Sequence, residues 1–215
     1  MKKIAIYNNK GGCGKTTSVI NLAYAFGEMN KRTLVLDCDN QQNSLRFFAE
    51  KARGEIQRTR YPNIDVSAWS DDALRQNCDY DYALLDLPPT LDGRTREILG
   101  QCDHVFVPIE LSPFSVYGVA KVTELISEVG TDFGGCYVSR YNKRNPASAE
   151  LLEMLRTNFG DKMIGVTIPQ SNVIMNSILY RQTAFEYMKW LGAVVSLGDL
   201  AEEILERTAP LQNGG

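Results

Sequence analysis

The stretch Asn9-Lys10-Gly11-Gly12-Cys13-Gly14-Lys15-Thr16-Thr17 decides how the rest of the chain is interpreted. It follows a short apolar run, Lys3–Asn8, and precedes a stretch with helical periodicity, Thr16–Met29. Glycines in such a turn let consecutive backbone N–H groups surround an anion, and the N-terminus of the following helix adds a partial positive charge. The sequence therefore predicts a phosphate-binding loop between a strand and a helix.

Two side chains of this loop suit a nucleoside triphosphate. Lys15 is placed to contact the β- and γ-phosphates, and the hydroxyl of Thr16 is placed to bind Mg²⁺. The common pattern G-x-x-x-x-G-K-[ST] is incomplete, because Asn9 replaces its first glycine, but the loop has an additional lysine, Lys10. We therefore expect ATP and Mg²⁺ as ligands. The predicted nucleotide-binding residues of the loop are Lys10, Gly11, Gly12, Cys13, Gly14, Lys15, Thr16 and Thr17.

The remainder of the chain alternates apolar runs of strand length with longer amphipathic stretches. The predicted strands are Lys3–Asn8, Thr33–Asp37, Asp65–Trp69, Tyr82–Asp86, His104–Pro108, Gly134–Ser139 and Met163–Ile168. The predicted helices are Thr16–Met29, Val116–Val129, Ala147–Asn158 and Val194–Arg207. This alternation favours the α/β class, with a doubly wound, mainly parallel sheet and helices on both of its faces.

Length and composition indicate a single folded unit. The chain has 215 residues, of which 44% are hydrophobic, and its formal net charge is −3. We expect one domain over residues 1–209, a flexible tail over residues 210–215 and a surface loop at Lys51–Asn63. No apolar run approaches the length of a membrane span or a signal peptide, so a cytoplasmic location is expected. The five cysteines form no CxxC pair, and the single histidine, His104, is interpreted as structural.

The loop with two lysines resembles the deviant Walker A ATPases of the ParA/MinD group, and the resemblance covers essentially the whole chain. Two further motifs carry it. Leu34-Val35-Leu36-Asp37-Cys38-Asp39-Asn40-Gln41-Gln42 stands where the family usually has D-x-D-P-Q, with Asn40 in place of the proline. Tyr82-Ala83-Leu84-Leu85-Asp86-Leu87-Pro88-Pro89 is similar to the family's D-x-P-P motif. The resemblance implies a P-loop NTPase that hydrolyses ATP.

The resemblance also implies roles for individual residues. Lys10 would reach across a homodimer to the phosphates bound by the partner subunit, and Asp39 would activate water. Asp37 would support the metal site, although a simple role in capping the next helix remains open, and Asp86 would bind Mg²⁺ through water. The implied catalytic residues are thus Lys10, Lys15 and Asp39, and the implied metal residues are Thr16, Asp37 and Asp86.

Two later segments are assigned to the adenine side of the nucleotide. Ile168-Pro169-Gln170 resembles the loop that lies beside adenine in the family, which makes Pro169 a candidate contact. Arg140 ends a predicted strand where many relatives have asparagine; it is either a residue that stacks on the base or an ordinary surface arginine. Cys13 lies at a helix N-terminus beside two lysines, and this position predicts a lowered thiol pKa.

Several functions are compatible with ATP binding by such a chain. In the ParA branch the ATP-bound dimer binds DNA non-specifically and a centromere-binding, ParB-like partner stimulates slow hydrolysis, with release from the nucleoid. The segment 140–189 has a net charge of +3, and the candidate DNA-binding residues are Lys143, Arg144, Arg181 and Lys189. An acidic C-terminal stretch argues against membrane binding, and the scattered cysteines argue against a metal-cluster enzyme. A metabolic ligase of this fold class would need a second substrate pocket, which the sequence does not indicate. A nucleotide-gated adaptor that positions a conjugation or secretion cargo remains the alternative.

Overall fold

The computed structural model describes residues 1–49, 55–75 and 79–209. The strands are β1 (Lys2–Ile6), β2 (Thr33–Asp37), β3 (Gln57–Arg58), β4 (Ile64–Ala68), β5 (Tyr82–Asp86), β6 (His104–Glu110), β7 (Asp132–Tyr141) and β8 (Met163–Pro169). The helices are α1 (Lys15–Glu28), α2 (Asn43–Phe48), α3 (Asp71–Arg75), α4 (Gly93–Gly100), α5 (Ser115–Glu128), α6 (Ala147–Phe159), α7 (Asn172–Leu179), α8 (Ala184–Met188) and α9 (Gly192–Thr208). A short 3₁₀ turn, Gly160–Lys162, joins α6 to β8.

The strands form one sheet in the order β3-β4-β2-β5-β1-β6-β7-β8. All neighbouring pairs are parallel except β3 with β4, which are antiparallel. The chain order reverses around β1, so the carboxyl ends of β1, β2 and β5 lie side by side at the point where an open sheet of this type binds ligands. The predicted fold class, a doubly wound and mainly parallel α/β sheet, is confirmed.

Successive residues of the central strands point to opposite faces, and each face is covered by helices. Ile4 and Ile6 of β1 belong to a core with apolar residues of α1, α7, α8 and α9. Ala5 and Tyr7 belong to a second core with residues of α4, α5 and α6. Both cores are continuous and almost free of solvent exposure, which explains why these strands are apolar at consecutive positions.

The element boundaries depart from the sequence predictions in several places. β1 ends at Ile6 instead of Asn8, because Asn8 already shapes the phosphate loop. The predicted loop Lys51–Asn63 contains the two-residue strand β3, whose polar sequence gives no strand periodicity; part of this loop, and the predicted tail 210–215, lie outside the described residues. Five helices were not predicted: α2, α3, α4, α7 and α8, all of eight residues or fewer. In the described ranges, no helix is both long and apolar enough to cross a membrane.

A β-bulge lies where β6 pairs with β7. Val105 pairs with Phe133 and Phe106 pairs with Gly135, so Gly134 is the additional residue of β7. A Cβ atom on Gly134 would stand 2.6 Å from Cζ of the buried Phe106. The ring therefore occupies the space that any side chain at position 134 would need, and this contact selects glycine.

Replacing this glycine tests the bulge. Gly134→Ala is expected to lower the free energy of unfolding by about 1–3 kcal/mol, because the added methyl group displaces the Phe106 ring in a close-packed core. Urea denaturation measures the change. Gly118→Ala in α5 is the matched control, since no atom lies within 4 Å of its Cβ position; it should leave stability unchanged or raise it by about 0.5–1 kcal/mol. Equal stability of both variants would contradict the packing argument.

Candidate functional site

The phosphate loop turns between β1 and α1 as an open cradle of backbone groups. Gly12 and Gly14 have φ angles of +76° and +92°, which residues with a Cβ rarely adopt, so the curvature of the loop requires glycine at both positions. Gly14 is also the N-cap of α1, whose first helical bond runs from Ser18 N to Gly14 O at 2.8 Å. The unpaired amides at this helix start are available to an anion.

Neighbouring strands hold this loop in shape. The Asn8 side chain donates to Pro108 O at 2.8 Å and accepts from Lys10 N at 3.0 Å, which connects the loop to β6. The Ser139 hydroxyl donates to Cys13 O at 2.7 Å, which connects the loop to β7. Both side chains are buried, so the cradle is fixed before any ligand binds.

The two lysines of the loop lie in different environments. Lys15 is 8% exposed and its ammonium donates to Lys10 O at 3.1 Å, across the mouth of the loop. The side chain of Lys10 is 46% exposed and lies at the rim, where its ammonium is 3.5 Å from Glu110 Oε2. One cation is thus enclosed by its own loop and the other is accessible from outside. Both lysines were predicted site residues, whereas Glu110 was not.

The expected activation of Cys13 is wrong. Its side chain is fully buried, and this burial raises the pKa of the thiol despite the opposing charges of Lys15 and Lys10. The Sγ atom donates to Lys10 O at 3.2 Å. Cys13 therefore serves as a packed residue of the loop, and its proximity to two lysines in the sequence does not make it a reactive thiol. The other three described cysteines are also free and buried.

Two carboxylates meet beneath the loop. The sheet register pairs Asp37 of β2 with Asp86 of β5, and both are buried. Asp86 Oδ1 accepts a hydrogen bond from Thr16 Oγ1 at 3.2 Å, whereas Asp86 Oδ2 is buried without a hydrogen-bond partner. Burial, with a further contribution from the Asp37 charge, raises the pKa of Asp86 to about 7. An unpartnered buried carboxylate oxygen beside a threonine hydroxyl is a position that a divalent cation can complete.

Asp37 is already occupied by donors of its own segment. Its carboxylate accepts from Asp39 N at 3.0 Å, from Ser44 Oγ at 2.7 Å and from Leu45 N at 2.8 Å. These bonds fix the turn after β2 and the start of α2, and burial raises the pKa of Asp37. Among residues 1–49, 55–75 and 79–209, no group of three or more His, Cys, Asp or Glu side chains is arranged for a metal ion. Of the three predicted metal residues, Asp86 has a buried oxygen without a hydrogen-bond partner, and Thr16 Oγ1 bonds to the other oxygen of the same carboxylate.

The segment after β2 is linked to the segment after β5. Asp39 is partly buried, and its Oδ1 accepts from Gln41 N at 2.9 Å. The next residue, Asn40, accepts through Oδ1 from Arg94 Nη1 at 3.4 Å, and the Arg94 guanidinium lies 5.6 Å from the centre of the Trp69 ring. Arg94 was not a predicted site residue, since its partners Asn40 and Trp69 are distant from it in the chain.

A cavity of about 370 Å³ opens beside the loop, toward the side where the sequence analysis placed adenine. Arg140 and Pro169, the two predicted adenine contacts, both line it. Arg140 has a φ of +55°, and its Nη1 donates to Gly12 O at 3.3 Å. The other lining residues are Gly12, Gly14, Thr17, Ser18, Ser139, Ile168, Gln170, Ser171, Asn172, Ile174, Met175, Ile178 and Leu197. The walls are mainly apolar, as expected for a pocket that encloses a flat aromatic group.

The four candidate DNA contacts lie in two places. Lys143 and Arg144 are exposed in the loop between β7 and α6. Arg181 and Lys189 are exposed on either side of α8. The carbonyl of Arg181 accepts from Arg60 Nη2 at 2.7 Å, so α8 lies against the turn between β3 and β4. The four residues therefore belong to two segments of the chain, one after β7 and one around α8.

Comparison with known proteins agrees with this geometry. A family model for the CobQ/CobB/MinD/ParA nucleotide binding domain matches residues 4–184. The chromosome partitioning protein ParA of Caulobacter vibrioides is 27% identical in an alignment 254 residues long, which covers 96% of this chain and 95% of the relative. The chromosome-partitioning ATPase Soj of Thermus thermophilus is 27% identical in an alignment 241 residues long, which covers 96% of both chains.

A solved structure shows the same fold. The septum site-determining protein MinD of Pyrococcus horikoshii, complexed with Mg-ADP, superposes with a TM-score of 0.77 at 23% identity. The superposition covers 94% of this chain and 95% of that protein. The family match covers most of the chain's length. This chain therefore belongs to the CobQ/CobB/MinD/ParA family of nucleotide-binding domains, which includes the ATPases of chromosome partitioning.

Proposed function

We propose that the chain is an ATPase switch for DNA partition. Two copies, each with one ATPase domain over residues 1–209, join around two Mg-ATP molecules, and this dimer binds DNA without sequence preference. Slow hydrolysis, stimulated by a centromere-binding ParB-like partner, separates the copies and releases them from the nucleoid into the cytoplasm. The partitioning relatives, which align over almost their whole length, support this use of ATP.

The position of Lys10 is the observation that carries the proposal. An enclosed lysine, Lys15, already serves the loop from inside, so a single bound nucleotide does not need the second cation for its own cradle. The Lys10 ammonium lies at the exposed rim, where a facing copy could approach it. A cation supplied from a second subunit stabilises the charge that develops on the transferring phosphoryl group and makes the triphosphate part of the interface.

The residues of the chain divide the remaining tasks. Lys15 and the loop amides bind the phosphates, Asp39 orients the attacking water, and Arg140 with Pro169 encloses the base. Thr16 and Asp86 fit Mg²⁺, because their oxygens lie together and Asp86 Oδ2 has no other partner. When bound, Mg²⁺ would offset the negative charge of the phosphates. Asp37 supports this site indirectly, since its own bonds hold the segment that carries Asp39.

The role of Lys10 can be separated from nucleotide binding. Lys10→Ala is expected to retain most of the ATP affinity, because Lys15 and the loop amides are unchanged, but to lose ATP-dependent dimerisation. Light scattering with and without Mg-ATP measures the second effect, and titration with a fluorescent ATP analogue measures the first. Lys121→Ala, an exposed lysine of α5, is the control. Full dimerisation of the Lys10 variant on ATP would falsify the role in trans.

The buried Asp86 predicts a pH-dependent stability. Because its pKa is raised to about 7, the folded chain keeps a proton that the unfolded chain loses above about pH 4. Stability should therefore fall as the pH rises from about 4 to 7. Asp86→Asn cannot ionise, so at pH 8 in EDTA it should be more stable than the unaltered chain by about 1–4 kcal/mol, and the gain should shrink toward pH 4.

The metal test uses the same variant. Mg²⁺ added at pH 8 should raise the melting temperature of the unaltered chain with ADP more than that of Asp86→Asn. Asp199→Asn removes one exposed carboxylate elsewhere and should behave as the unaltered chain in both experiments. A pH-independent difference between Asp86→Asn and the unaltered chain would contradict the raised pKa, and equal responses to Mg²⁺ would contradict Asp86 as its site.

The two basic pairs can be compared by their salt dependence. If both residues of a pair contact phosphates, the slope of log affinity against log salt should fall by about 2 when both are replaced by alanine. The variants are Lys143→Ala/Arg144→Ala and Arg181→Ala/Lys189→Ala, measured by mobility shift with ATP and with ADP. The control Arg96→Ala/Lys121→Ala removes equal charge from α4 and α5. Unchanged slopes for both pairs, or equal binding with ATP and ADP, would count against the DNA switch.

A further inference from the structure

Glu110 is placed by the sheet beside the phosphate loop. It ends β6, and the register pairs it with Ser139 of β7, the residue whose hydroxyl donates to Cys13 O in the loop. The chain after it is fixed, because Ser115 Oγ donates to Glu110 O at 3.1 Å and accepts from Ser112 N at 2.7 Å. The carboxylate therefore has a defined position at the rim of the nucleotide site.

Its two oxygens are divided between two cations of that site. Oε2 lies 3.5 Å from Lys10 Nζ, and Oε1 lies 3.7 Å from Arg140 Nη1. The same Arg140 nitrogen donates to Gly12 O at 3.3 Å, so Glu110 holds Arg140 against the loop. The exposed fraction of the side chain is 46% for Lys10, 50% for Arg140 and 32% for Glu110. They form a charged bridge across the mouth of the site, outside the enclosed Lys15.

This bridge competes with a nucleotide. A bound polyphosphate places further anions beside Lys10 and Arg140, and the Glu110 carboxylate would repel them. We therefore expect nucleotide binding to break both ion pairs. The backbone of Arg140 gives a second indication, because its φ of +55° is unusual for a residue with a side chain and such strain is concentrated at sites that change state.

We propose that Glu110 is an internal counter-anion. It holds Lys10 and Arg140 while the site is free, and the phosphates of ATP displace it from these two cations. The inference rests on the proposed function, because it assigns a regulatory contact to that same site. Glu110 lowers the apparent affinity for ATP and keeps Lys10 within its own subunit. Once displaced, it leaves Lys10 free for a facing copy, so that dimer formation follows triphosphate binding and does not precede it.

The test replaces Glu110 by glutamine, which removes the negative charge of the side chain and nearly preserves its shape. Glu110→Gln should bind ATP about threefold to tenfold more tightly at low salt, since two partly exposed ion pairs no longer oppose binding. The gain should diminish at high salt, because screening weakens the pairs in the unaltered chain. Calorimetric titration with ATP, in the dilute chain without Mg²⁺, measures binding before dimerisation. The ATP concentration at half-maximal dimerisation, measured with Mg²⁺, should fall in parallel.

Two further variants keep the test specific to the bridge. In the Lys10→Ala background, Glu110→Gln should gain less affinity than in the unaltered chain, because half of the bridge is already absent. Glu128→Gln is the matched control: Glu128 pairs with Arg96 at 2.6 Å and is the last residue of α5, which runs from the carboxyl edge of the sheet to its opposite end. It should bind ATP as the unaltered chain does. Glu110→Asp, which keeps the charge, provides a second variant if the glutamine form is unstable.

The outcomes separate this inference from the function on which it rests. Tighter, salt-sensitive binding that depends on Lys10 supports the counter-anion. Unchanged or weaker binding by Glu110→Gln, while the unaltered chain binds ATP and Lys15→Ala does not, overturns the counter-anion and leaves the ATPase intact. A gain that is the same with and without Lys10 also overturns it. If the unaltered chain binds no ATP, both the proposed function and this inference are wrong.

Discussion

Charged groups buried at the carboxyl edge of the sheet impose the strongest constraint on this protein. Lys15 is almost enclosed by its own loop, and Asp37 and Asp86 lie side by side beneath it because β2 and β5 are neighbours in register. Burying such groups is costly unless each has a partner. Asp37 obtains three donors from its own segment, but one oxygen of Asp86 obtains none. In the proposed function, Mg²⁺ bound with the nucleotide supplies the partner that this oxygen lacks.

The chain satisfies the remaining charges with contacts that a ligand can replace. The Lys15 ammonium bonds to Lys10 O, and the ammonium of Lys10 pairs with Glu110. We propose that phosphate oxygens compete for these donors, so that nucleotide binding changes the contacts of the loops around the site.

Much of the fold could be predicted from the sequence, and the reasons are local. Strands covered on both faces are continuously apolar, which makes them recognisable in the sequence. The glycine pattern of the loop between β1 and α1 has few uses other than phosphate binding. The features that were not predicted, or were predicted wrongly, depend on contacts between residues distant in the sequence. The contacts of Glu110 depend on the pairing of β6 with β7, which the sequence does not show. The prediction for Cys13 was wrong because burial raises the pKa of its thiol more than the neighbouring lysines lower it. The polar strand β3 is defined by its pairing with β4 and by no periodicity of its own.

The central claim is that a cation of one copy serves the triphosphate of another. The most direct measurement is an experimental structure of the Asp39→Ala chain with Mg-ATP, in which hydrolysis should be too slow to empty the site. We expect two facing copies, with each Lys10 ammonium about 3 Å from a phosphate oxygen held by the other copy and no longer on Glu110. A single copy with ATP bound and Lys10 still on Glu110 would contradict the account.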